Sequence, residues 1–165
     1  MEKKMIILGI DPGLQVCGYA VIEGGRDKES LLEAGTIRSD GGSALERRLD
    51  QIATDIASLL EKFSPAIVAV EELYSHYRHP KTAILMGHAR GVILRQAALH
   101  NANVESFSAT RIKKSLTGNG RASKLQMQRS IQSLLALPSL PEPPDIADAI
   151  AVALCCANEL KVGVF

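Results

Sequence analysis

No apolar run in this 165-residue sequence approaches the roughly 18 residues of a membrane span; the longest, Ile146 to Ala157, is closed by Asn158 and Glu159. A soluble chain is expected. The opening MEKKMIILGI puts two lysines before only about six apolar residues, and Asp11-Pro12-Gly13 interrupts them, so no secretion leader is expected and the cytoplasm is the default location. Cysteine is scarce: Cys17, Cys155 and Cys156 are an odd set whose adjacent pair cannot easily bridge to itself. With no ligand-type spacing of Cys or His, a zinc site is also excluded, and the three read as core thiols. Glycine-rich phosphate cradles of the G-x-x-x-x-G-K-[ST] or G-x-G-x-x-G type are missing, as are internal repeats and low-complexity tracts. What remains is an ordinary globular composition, 46% hydrophobic. A single domain over residues 1–165 can bury roughly two thirds of its unfolded surface, so no disulfide or structural metal is required.

The middle of the chain lacks acid. Between Leu73 and Leu140 stand ten Lys or Arg and one acid, Glu105, a net +9, whereas the remainder has nine basic and 17 acidic residues, a net −8. The overall charge of +1 hides this segregation. A basic segment of this kind suits a polyanion, with an affinity that falls steeply with salt. All four histidines, His76, His79, His88 and His100, lie in the same segment.

Hydrophobic periodicity gives the framework. Met5 to Ile10 reads as a central strand stopped by Asp-Pro-Gly. Cys17 to Glu23 and Ser30 to Ile37 read as an antiparallel hairpin around Gly24-Gly25-Arg26-Asp27-Lys28. Residues 45–63 form an amphipathic helix ended by Ser64-Pro65, and Ala66 to Val70 is another buried strand. Thr82 to His100 is a second long helix, in which Ala83, Gly87 and Gly91 make a stripe of small residues. Two glycines on one helix face predict close approach to another helix or to backbone, within the chain or across a dimer. Val104 to Phe107 is a fifth strand. A helix capped by Ser108 or Thr110 follows and ends at Gly118-Asn119-Gly120. The next, Ser123 to Leu135, has Leu125, Ile131, Leu134 and Leu135 as core residues. A proline-rich linker, Leu137 to Pro144, leads to the last helix. The expected fold is α/β, with a five-stranded mixed β-sheet flanked by helices.

Two strands end in acid on the edge where α/β sheets build their sites: Asp11 after ILGI and Glu71 after IVAV. Asp145 and Asp148 lie three residues apart, on one face of the last helix. Alone, that pair suits a helix N-terminus. If the helix packs beside strands one and four, however, four carboxylates converge, and converging negative charges call for cations. An oxygen-only set suits Mg²⁺ or Mn²⁺, and two such ions about 4 Å apart support in-line attack on a phosphodiester. Glu72 points elsewhere if the strand continues. These features favour a nuclease. A nucleotide-phosphate enzyme of the actin and sugar-kinase type is suggested by GIDPG but needs a second domain, and a non-catalytic nucleic-acid module stays open as well.

Taken in order, ILGIDPGLQVCGYAVIE at 7–23, VAVEELY at 68–74, GHARG at 87–91 and PPDIADAIAVALCC at 143–156 resemble the RuvC family of bacterial Holliday-junction resolvases. The resemblance implies an RNase-H-like fold and a homodimer on a four-way junction. Each subunit would cut one of two strands of like polarity, leaving 5′-phosphate and 3′-hydroxyl ends. It places the family's metal-binding catalytic acids at Asp11, Glu71, Asp145 and Asp148, with two Mg²⁺ per subunit and Mn²⁺ able to substitute. It implies a base-stacking aromatic at Tyr74 and DNA-contacting lysines at Lys113 and Lys124. Arg111, Lys114, Arg121 and Arg78 are further DNA-binding candidates, and the junction branch-migration helicase complex is an implied partner. The chain departs from the family in 74-YSHYRHPKTAILMGH-88, where Ser75 replaces a second aromatic and Tyr77 is a possible substitute. Resolvase-like relatives with RNA-processing roles share the first motif but fit the basic segment and the four-acid spacing less well.

Overall fold

The structure, a computed structural model, describes residues 4–25, 28–73 and 78–163. Its elements run β1 (Met5–Asp11), β2 (Val16–Gly24), β3 (Ser30–Arg38), α1 (Leu45–Phe63), β4 (Ile67–Glu71), α2 (Pro80–Leu99), β5 (Asn103–Phe107), α3 (Ala109–Thr117), α4 (Lys124–Leu135) and α5 (Pro144–Lys161). The five strands form one mixed sheet in the order β3-β2-β1-β4-β5. β1, β2 and β3 meander antiparallel, while β4 and β5 run parallel to β1 and to each other. Arg26 and Asp27, within the expected hairpin loop, lie outside the described residues.

Alternation along each strand sorts side chains to two faces. On one, Ile7, Ala20, Ile22, Ala69 and Phe107 pack against α5, with Ile112 and Leu116 of α3 and Ile131 of α4 closing the layer. On the other, Leu8, Ile10, Val21, Val68 and Val70 pack against Ile52 and Ile56 of α1 and Ala89 and Ile93 of α2. Residues 149–157 of α5 are all buried, because the sheet lies beneath this helix and α3 and α4 flank it. Among the described residues no helix is long and apolar enough to cross a membrane.

One expectation is corrected. Leu125 and Leu134 of α4 are 44% and 40% exposed rather than in the core. The helix is rotated so that Met127, Ile131 and Leu135, at four-residue spacing, face inward. Of the two alternatives for the α2 glycine stripe, close approach within the chain is not met among the described residues, and approach across a dimer stays open. Among the described residues, a Cβ at Gly91 would touch nothing within 4 Å, and one at Gly87 only Leu73, at 3.9 Å.

Candidate active site

Asp11 and Glu71 end neighbouring parallel strands in which Ile10 is paired with Val70, so the two acids sit side by side at one sheet edge. Alternation decides where they aim. Ile7 and Ile67 face α5 while Leu8, Ile10, Val68 and Val70 face away, which turns Asp11 and Glu71 toward α5 as well. Glu72, one residue beyond the strand, is exposed and borders the same edge as Asp11 and Glu71, contrary to the expectation that it points elsewhere.

The last helix comes unusually near this edge. A Cβ on Gly9 would collide with the Ala149 carbonyl and the Ala153 side chain, and one on Gly18 with the Asp145 backbone. Gly18 is the β2 partner of Asp11, so the missing side chain lets the first turn of α5 settle directly beside that carboxylate. Asp145, Ala149 and Ala153 form the stripe on the sheet, and Asp148, three residues from Asp145, turns toward β4, α3 and α4.

The electrostatics follow from the convergence. Burial is the main cause that pushes the Asp11 carboxyl up to about 8, reinforced by the charges of Asp148, Glu71 and Asp145. Glu71 is raised by burial and then by Asp148, with Lys113 pulling the other way. Asp148 is also raised, chiefly by desolvation, and is opposed first by Lys124. It keeps solvent access at the cleft mouth, so desolvation acts on it less completely than on Asp11. Among the described residues no three Asp, Glu, His or Cys side chains close into a metal cage. Carboxylates whose charged forms are disfavoured by one another and by burial nonetheless fit a hard cation, and Mg²⁺ takes one or two carboxylates and keeps several water or phosphate ligands.

Lys113 of α3 and Lys124 of α4 line one cleft of about 300 Å³ with Glu71 and Asp148, over a floor that includes Ile112, Ile131 and Ala147. A second hollow of about 280 Å³ lies over Asp11, Glu71, Met86 and Ser108. Glu72 lines the second hollow as well, whereas Arg111, Lys114, Arg121 and Arg78 line neither. Arg111 forms a two-pronged ion pair with Glu159 and lies 5.0 Å over the Phe107 ring, which fastens α3 to the far end of α5. Lys114, Arg121 and Arg78 are exposed at the surface. Tyr74, Ser75 and Tyr77 lie outside the described residues.

One residue taken as a plain core thiol does more. Cys17 Sγ donates to the Gly13 carbonyl at 2.8 Å and accepts from the Gly13 N–H at 3.3 Å, closing the turn that follows Asp11. Burial holds its pKa up at about 11, so it remains a thiol and can donate. The hint in the sequence is the spacing of Cys17 four residues beyond Gly13, across a turn forced by proline.

With this geometry in view, a family model described as "Crossover junction endodeoxyribonuclease RuvC" matches residues 7–156. The chain belongs to the RuvC family. The family's protein from Rhodopirellula baltica is 48% identical over 149 residues, which cover 90% of this chain and 84% of the relative. That of Heliobacterium modesticaldum is 43% identical over 160 residues, covering 97% and 98%. Among solved structures, Thermus thermophilus RuvC in complex with Holliday junction substrate matches with a TM-score of 0.91 at 31% identity over 96% of both chains. The mixed sheet flanked by helices is therefore the RNase-H-like architecture of RuvC proteins.

Proposed function

We propose that this RuvC-family chain resolves four-way DNA junctions by metal-dependent hydrolysis, with Asp11, Glu71, Asp145 and Asp148 holding the metal and Lys113 and Lys124 holding the substrate phosphates. The observation that carries this reading is the placement of both lysines in one cleft with Glu71 and Asp148, beside the strand-end acid Asp11. When bound, Mg²⁺ or Mn²⁺ supplies activation of a water for in-line attack and charge neutralisation at the departing 3′ oxygen. The protein's share is positional. β1 and β4 fix two carboxylates on a rigid edge, α5 brings two more, and the lysines orient the anionic backbone across them. The products are nicks with 5′-phosphate and 3′-hydroxyl ends.

A homodimer is part of the proposal, because two symmetric cuts need two sites related by a two-fold axis. It is supported by the face of α2 where, among the described residues, Gly91 has open space and Ile84 is 63% exposed. Tyr74 or Tyr77 as the stacking residue, a cytoplasmic location and contact with the branch-migration helicase complex complete the reading by family resemblance. The deciding experiment offers intact four-way, duplex and flapped DNA to the protein with Mg²⁺ or Mn²⁺. Paired symmetric nicks in the four-way substrate alone support the reading. Equal cutting of duplex, or binding without cutting, would refute it.

A further inference from the structure

The linker that delivers α5 to the site is poor in its own means of anchorage. Four of the seven prolines, Pro138, Pro141, Pro143 and Pro144, fall within it and offer no N–H. α5 begins at Pro144 with Pro143 as N-cap, and no side chain caps it. The linker's carbonyls are instead caught by α4. Gln128 Nε2 donates to the Pro141 carbonyl at 3.1 Å, and Gln132 Nε2 to the Leu137 carbonyl at 3.4 Å. The two glutamines are one helical turn apart on α4, and the linker runs back past them toward α5. They differ in one respect: Gln128 also lines the cleft with Lys113, Lys124, Glu71 and Asp148, whereas Gln132 does not.

We infer that Gln128 is a positioning residue, which ties the helix carrying Lys124 to the linker four residues before Asp145 and so sets the approach of Asp145 and Asp148 to the metal. The inference rests on the metal reading proposed above. Mg²⁺ tolerates little deviation from octahedral geometry, and groups that orient ligands from behind commonly change metal affinity by about 10- to 100-fold. Gln128 acts through a backbone segment rather than by touching a ligand, so a smaller effect, roughly fivefold, is expected.

The test compares Gln128→Met with Gln132→Met in the full chain, each losing a donor with little change of volume. The Mg²⁺-induced rise in melting temperature is titrated without DNA, and junction binding is measured in EDTA. Gln128→Met should raise the Mg²⁺ midpoint about fivefold with junction affinity kept within about twofold, while Gln132→Met leaves the midpoint unchanged even though its melting temperature falls. Should Gln128→Met not fold, Gln128→Asn, which keeps the donor but shortens its reach, carries the same direction of change. A Gln128 variant with the wild-type midpoint, or equal shifts in both variants, would overturn the inference alone. A wild-type protein that shows no response to Mg²⁺ would overturn the metal reading and this inference with it.

Discussion

Burial and three neighbouring acids make the charged form of Asp11 the less stable one, and that has a consequence for the metal-free protein. A carboxyl whose pKa is raised on folding, here to about 8, holds its proton more tightly in the native state than in the unfolded chain. Its contribution to stability is complete below the unfolded pKa near 4 and is lost as pH climbs toward 8. In EDTA the protein is therefore expected to lose on the order of 3 kcal/mol between pH 4 and pH 8, after allowance for solvent relaxation around a group that is not fully enclosed. Glu71 and Asp148, also raised, add in the same direction. Urea denaturation of wild type and Asp11→Asn across that range checks this: the variant should show a shallower slope and exceed wild type at pH 8. A wild type most stable at pH 8 without metal would contradict it. The identity of Asp11 as a rim residue was legible from the proline and glycine that follow it. The role of Cys17 was not, because a thiol closing a turn looks like any other small apolar residue until the turn is folded.

At the scale of elements, α5 decides the geometry of the site. Gly9 and Gly18 are what let it approach the sheet, and a methyl group at Gly18 would collide with the Asp145 backbone. Gly18→Ala is expected to cost about 2 kcal/mol of stability and to depress cleavage in the fraction that folds, since Asp145 is pushed from Asp11. Gly25→Ala, whose new Cβ would meet nothing within 4 Å among the described residues, is the control expected to leave both unchanged. Denaturant midpoints and junction-cleavage rates of the two variants measure the difference. Most element boundaries were readable because caps and breakers agree with the periodicity: α1 spans residues 45–63 as its stripe and Ser64-Pro65 predict. The rotation of α4 was not. Leu125, Met127, Ile131, Leu134 and Leu135 spread apolar surface around much of the helix, and only packing against α5 selects the face of Met127 and Ile131. Close approach through Gly9 and Gly18 was also hidden, because a strand glycine announces a contact without naming the partner.

Over the whole molecule, the basic central segment and the acidic remainder set up a field that draws a polyanion toward the cleft. Lys113→Ala should weaken junction binding and reduce the slope of log affinity against log salt by about one, as measured by titration at several salt concentrations. An unchanged slope would place this lysine outside the phosphate contacts. The segregation of charge and the order of the four acids were legible in the sequence. The meeting of Lys113 and Lys124 with Glu71 and Asp148 was not, because it depends on α3 and α4 both folding over β4. The central claim is a division of labour, in which the acids perform the chemistry and the basic segment binds. It is tested most directly by measuring four-way-junction affinity and cleavage side by side for wild type, Asp11→Asn and Glu71→Gln in Mg²⁺. The account predicts that cleavage falls roughly a thousandfold or more while affinity stays within about threefold. Cleavage that survives in both variants, or binding lost in step with it, would contradict the account.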